Sequence, residues 1–107
     1  MSAFTVHDLE KRVHERAAAD PDSSYTRKLL DRGVAHCAKK LGEEAVETVL
    51  AAAGEDRERL IAEAADLIYH LLVVLKARDV SLAEVERELA TRTSTSGLQE
   101  KAARKSG

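Results

Sequence analysis

The chain is short of aromatic residues, and that limits how its core can be built. Its 107 residues include no tryptophan, and only Phe4, Tyr25 and Tyr69 carry an aromatic ring. Such a core is closed mainly by Ala, Leu and Val, which favours close helix packing and gains from oligomerisation. The single Cys37 excludes an intrachain disulfide and any cysteine-rich metal site. Only one proline, Pro21, interrupts the backbone. The longest apolar run, "LLVVL" ending at Leu75, is far shorter than the about 20 residues that span a membrane. The opening "MSAFTVHDLEKRV" has no apolar signal region. Neither sign of charge dominates: 17 basic residues against 19 acidic ones leave a net charge of −2, without the global basic excess of a nucleic-acid binder. At 44% hydrophobic and 34% charged, the composition is globular. These features describe one cytoplasmic domain covering residues 1–107, with neither membrane nor nucleic acid as partner.

What the chain does have is helical periodicity. No stretch alternates apolar and polar residues over strand length. Thr5 and Asp8 resemble a capping box, and Val6, Leu9 and Val13 mark one helix face as far as about Ala19. "DPDSS" is a loop with cap chemistry, and Ser24 starts a short helix through "YTRKLLDR". Beyond Gly33, a helix is expected from Val34 to Ala53, with Gly54 just past its end. Gly42 sits inside it at a cost of roughly 1 kcal/mol relative to Ala. It either admits a close backbone or ligand or is merely tolerated. Glu55 and Asp56 suit the positive end of the next helix, which reaches about Ala77. Ser81 and Glu84 form a capping box for a last helix to about Arg92. The expectation is all-α, a small bundle of four to five helices. A polar tail over 92–107 is locally basic, with Arg92, Lys101, Arg104 and Lys105 against Glu100.

Acids sit where the apolar pattern expects a core. "KKLGEEAVETVLAA" places Glu44 and Glu47 three apart on one face, with Glu43 flanking them. "EAADLIYHLL" places Glu63 and Asp66 three apart, with His70 one turn beyond Asp66. The second segment is apolar nearly all round, which predicts a helix enclosed by neighbours. Unpartnered buried carboxylates cost several kcal/mol each, and close like charges repel. Protonation, pairing with Lys or Arg, or a divalent cation would compensate. Consecutive helices with a short connection pack antiparallel. Two facing pairs, Glu44 with Glu47 and Glu63 with Asp66, then make an all-oxygen box suited to Mg²⁺ or Mn²⁺. A di-iron centre requires two Glu-x-x-His motifs, and the chain has none. The plainer alternative is solvated surface charge, as in "EKRVHER" and "EDRERL".

The acidic string Glu43, Glu44, Glu47, then Glu63, Asp66, resembles the signature of the MazG-like all-α nucleotide pyrophosphohydrolases. Adding "SSYTRKLLDRG" (23–33) and "SGLQEKAAR" (96–104), the chain is similar to the phosphoribosyl-ATP pyrophosphohydrolases of histidine biosynthesis. The resemblance runs from about Ser23 to Arg104. It implies a helical bundle that dimerises, with its metal site near the subunit interface. It also implies Mg²⁺-dependent cleavage of phosphoribosyl-ATP to phosphoribosyl-AMP and pyrophosphate. Under it, Glu44, Glu47, Glu63 and Asp66 would hold Mg²⁺, and Glu43 or Glu47 would take the proton of the attacking water. Lys40 would reach the phosphates, or pair with Glu44 one turn on. Tyr25 and Thr26 would offer hydroxyls and Tyr25 a ring; the alternative is a helix start with a half-buried tyrosine. His70 would bond a phosphate, orient Asp66, or be a satisfied core histidine. Lys101 and Arg104 would close over the substrate. His36 and Cys37 read as ordinary helix residues. Two other functions fit the acids: a house-cleaning nucleoside triphosphate pyrophosphohydrolase, and a non-catalytic helical module that dimerises and only binds a cation.

Overall fold

A computed structural model describes residues 3–54 and 56–93, and all regular structure among them is helical. The helices are α1 (Val6–Ala17), α2 (Tyr25–Asp31), α3 (Val34–Ala53), α4 (Arg57–Ala77) and α5 (Leu82–Thr93). Glu55 and most of the basic tail, including Lys101 and Arg104, lie outside the described residues. Among those residues, no helix is long and apolar enough to cross a membrane.

Local chemistry explains where the helices begin. The Thr5 hydroxyl accepts from the Asp8 backbone N–H at 3.1 Å, and the Asp8 carboxylate accepts from the Thr5 N–H at 2.9 Å. Those bonds hold the Asp8 carboxyl below its ordinary range. Ser81 and Glu84 repeat the arrangement at the head of α5. Ser24 works in two directions. Its hydroxyl accepts from the Arg27 N–H at 3.1 Å and donates to the Arg16 carbonyl at 2.8 Å, fastening the start of α2 to the end of α1. Asp56 caps α4 by accepting from the Arg59 N–H at 3.0 Å. Gly33 turns the chain between α2 and α3 with φ +97°, a conformation that L side chains rarely adopt. Gly42 shows no close neighbour: a Cβ built there would meet nothing within 4 Å. No neighbour among the described residues therefore requires a glycine there.

The core gathers Val13, Leu29, Cys37, Leu72 and Val73 from α1 to α4, with Leu9, Leu30 and Tyr69 packed against it. The buried Cys37 thiol donates to the Leu29 carbonyl at 3.2 Å, and burial pushes its pKa up, so it behaves as a small apolar residue. Helices α3 and α4 make the most extensive contact in the bundle. The expectation that α4 is enclosed on every side does not hold among the described residues. Leu72, Val73 and His70 are buried, whereas Ile61, Ile68 and Leu71 are exposed. On α3, Val46, Val49 and Leu50 are exposed as well. The apolar arc thus serves two surfaces: one meets the core, and the other is left uncovered by the described residues.

Candidate active site

Helices α3 and α4 run antiparallel, with Glu47 opposite Arg59 and Thr48 opposite Glu63. That register brings one carboxylate oxygen from each of Glu44, Glu63 and Asp66 within 4.8 Å of one another. Glu44 and Glu63 are half-buried and Asp66 is exposed. Loss of solvent, followed by the neighbouring charge of Glu44, pushes the Glu63 carboxyl above its ordinary range, with Glu47 and Asp66 adding to the effect. The cluster repels itself, as the acidic pattern anticipates.

Thr48 sets the register and was missed in the sequence, where it looks like any mid-helix threonine. Its hydroxyl is shared between the Glu44 carbonyl at 2.8 Å and the Glu63 carbonyl at 3.2 Å. One proton therefore ties together the two turns that carry the acids.

The remaining expected residues divide. Glu47 is not one of the three converging acids, because its carboxylate accepts from Arg59 at 3.0 Å. Its charge still acts on Glu63. Lys40 pairs with Glu43 at 3.3 Å, not with Glu44, and that bond raises its pKa. Tyr25 is 54% exposed, its ring stacked on Tyr69 with centroids 6.5 Å apart. Thr26 is buried, and its hydroxyl bonds the Tyr69 hydroxyl at 2.5 Å, so it braces α2 against α4. His70 is buried and donates from Nδ1 to the Asp66 carbonyl at 2.9 Å, fixing the turn that carries Asp66. Its Nε2 is buried and has no hydrogen-bond partner among the described groups.

A second feature opens toward the N-terminal end of α3. A cavity of about 460 Å³ lies between α2 and α3, lined by Tyr25, Lys28, Leu29, Asp31, Arg32, His36 and Lys40. Lys40, one turn before Glu44 on α3, belongs to its lining.

An antiparallel helix pair that presents clustered carboxylates is the arrangement of the MazG-like all-α nucleotide pyrophosphohydrolases. The model of one family, phosphoribosyl-ATP pyrophosphohydrolase, matches residues 6–93. The chain is 64% identical over 105 residues to phosphoribosyl-ATP pyrophosphatase 1 of Bradyrhizobium diazoefficiens, covering 98% of this chain and 99% of that protein. It is 62% identical to the phosphoribosyl-ATP pyrophosphatase of Nitrobacter winogradskyi, with 97% and 90% covered. To that of Agrobacterium fabrum it is 60% identical, with 97% of each covered. The chain belongs to the phosphoribosyl-ATP pyrophosphohydrolase family.

Proposed function

We infer that this chain hydrolyses phosphoribosyl-ATP to phosphoribosyl-AMP and pyrophosphate, a step of histidine biosynthesis. Similarity over nearly the whole length to relatives bearing that name carries the inference. The convergence of Glu44, Glu63 and Asp66 supplies a site for the chemistry. A cytoplasmic location accompanies this reading.

The donor set fits Mg²⁺ or Mn²⁺: it offers only carboxylate oxygens, drawn from two braced helices, and its mutual repulsion favours a bound cation. Glu44, Glu63 and Asp66 would hold the ion, which when bound neutralises phosphate charge and acidifies water. Each of Glu43 and Glu47 is paired with a base, Lys40 and Arg59, but only Glu47 acts by its charge on Glu63, which favours Glu47 as the group that takes the proton of the attacking water. Water adds at phosphorus as the bond to the leaving pyrophosphate breaks, and Glu47 receives the proton. Release from Arg59 frees Glu47 for that role, or for joining the ligand set. Lys40 stands one turn before Glu44 and supplies positive charge to the phosphates. Thr48 and the Nδ1 bond of His70 hold the acid-bearing turns in place.

The exposed stripes of α3 and α4 suit a second copy of the chain. Val46, Val49 and Leu50 follow helical spacing on α3, and Ile61 and Ile68 follow it on α4. A homodimer built on them would cover this apolar surface and set the acidic cluster close to the interface.

Pyrophosphate release from phosphoribosyl-ATP, beside ATP and a panel of deoxynucleoside triphosphates, tests the function. Turnover confined to phosphoribosyl-ATP with Mg²⁺, and abolished by EDTA, is expected. Turnover of the whole panel would move the protein to the house-cleaning class. Metal binding without any turnover would leave the non-catalytic module.

A further inference from the structure

The cavity between α2 and α3 has a chemistry that the acidic cluster does not use. Lys28 lies on α2 and Arg32 caps its C-terminal end four residues on, and His36 and Lys40 are one turn apart on α3. The turn at Gly33 folds the chain so that all four line one space. Leu29 and Tyr25 are in the same lining. Among the described residues, neither Lys28 nor Arg32 has an ion-pair partner. Asp31, the acid in the lining, is engaged by Arg27 at 3.0 Å. Lys40 is the one cation of the rim with an acidic partner, Glu43. The positive field is felt inside: loss of solvent, then the charges of Arg32, Lys40 and Lys39, holds the His36 pKa below its ordinary value. Two cations, Lys28 and Arg32, with no acidic partner among the described residues leave the lining able to hold an anion.

Its position identifies the anion. His36, Lys40 and Glu44 follow one another at four-residue spacing along α3, so the cavity lining on that helix stands about 6 Å (Lys40) to about 12 Å (His36) along the axis from Glu44, by the 1.5 Å rise per residue. The substrate of the proposed reaction is anionic at both ends, with a triphosphate on one ribose and a single phosphate on the other. If the acids engage the triphosphate, the other end needs its own cations. We propose that Lys28, Arg32 and His36 bind the monophosphate of the phosphoribosyl group, and that this contact separates phosphoribosyl-ATP from ATP. The proposal rests on the function inferred above and adds the basis of its selectivity.

Steady-state kinetics of Lys28→Gln and Arg32→Gln test it. Both residues are exposed, Lys28 on α2 and Arg32 just past its end, so the substitutions spare the core. Loss of one charge-assisted hydrogen bond should raise the KM for phosphoribosyl-ATP about tenfold to a hundredfold, with little change in kcat. The inhibition constant for ATP, which lacks that phosphate, should move by less than twofold. A parallel rise for ATP would assign the cavity to the triphosphate and overturn the proposal; so would an unchanged KM. The wild-type protein separates this from failure of the function itself. If it does not turn over phosphoribosyl-ATP, ribose 5-phosphate titrated against the His36 ring resonances judges the cavity alone. Saturable shifts that vanish in Arg32→Gln support the site, and their absence refutes it.

Discussion

Replacing Thr26 with valine removes one hydroxyl from a buried position and leaves the shape of the side chain nearly unchanged. That hydroxyl bonds Tyr69 and ties α2 to α4. Its loss strands the hydroxyl of Tyr69, which is less buried than Thr26; both residues line a cavity of about 240 Å³ with Arg12, Arg16 and Tyr25. Water can enter there, so Thr26→Val should destabilise by about 1 kcal/mol, the low end for a stranded polar group. Tyr69→Phe strands the Thr26 oxygen instead. Thr26 is only 4% exposed, so this variant should lose more, up to about 3 kcal/mol. The double variant strands nothing and should be more stable than the sum of the two losses implies, by about 1 kcal/mol of coupling. Urea unfolding of the four proteins at one chain concentration measures this; the concentration is fixed because assembly contributes to stability. Coupling below about 0.3 kcal/mol would refute the brace. Thr26→Val with intact stability and lost turnover would return the hydroxyl to the substrate.

Asp66→Asn should lower Mg²⁺-dependent pyrophosphate release at least about a hundredfold while leaving the circular dichroism of the metal-free protein unchanged; near-normal turnover would remove Asp66 from the ligand set. Glu63 has a carboxyl pKa raised by the fold, so its contribution to stability is full below the ordinary value of 4.5 and is lost as pH rises through the folded value. In EDTA, Glu63→Gln should therefore raise the urea midpoint at neutral pH, and the gain should disappear as the pH is lowered below that ordinary value; a gain of equal size at both ends would contradict the electrostatic cause. Val49→Asp and Ile61→Asp each place a charge on the uncovered apolar face and should convert a dimer into a monomer by light scattering; a monomeric wild type would refute the assembly.

Much of this molecule was legible because its signals are local. The capping pairs Thr5–Asp8 and Ser81–Glu84 mark helix starts through bonds between residues three apart. Glu44, Glu63 and Asp66 could be assembled from helical spacing and one antiparallel pairing. What was not legible depends on contacts across helices. Arg59 reaches back over the α3–α4 turn to Glu47, and spacing along either helix does not show it. Lys40 had two acids within a turn, and rotamer geometry chose Glu43. The apolar arc of α4 could not say which part faces its own core, since a surface kept for another chain has the same composition. His36 reads as an ordinary helix residue in the sequence, and its place in one cavity lining with Lys28 and Arg32 depends on the turn at Gly33. Thr26 was expected at the substrate, but its hydroxyl is occupied by a tyrosine far along the chain.

The acids and the threonine between them lie on consecutive helices joined by a short turn. A centre built from neighbours in the chain closes only a short loop, and local topologies of this kind fold fast. During synthesis the α3–α4 hairpin can close as soon as α4 leaves the ribosome, while α5 is still inside the exit tunnel. A nascent chain would therefore carry a nearly complete set of acidic ligands while its apolar stripe is still bare. For this protein, the hazard of early life lies less in forming the site than in keeping that stripe from meeting the wrong neighbour.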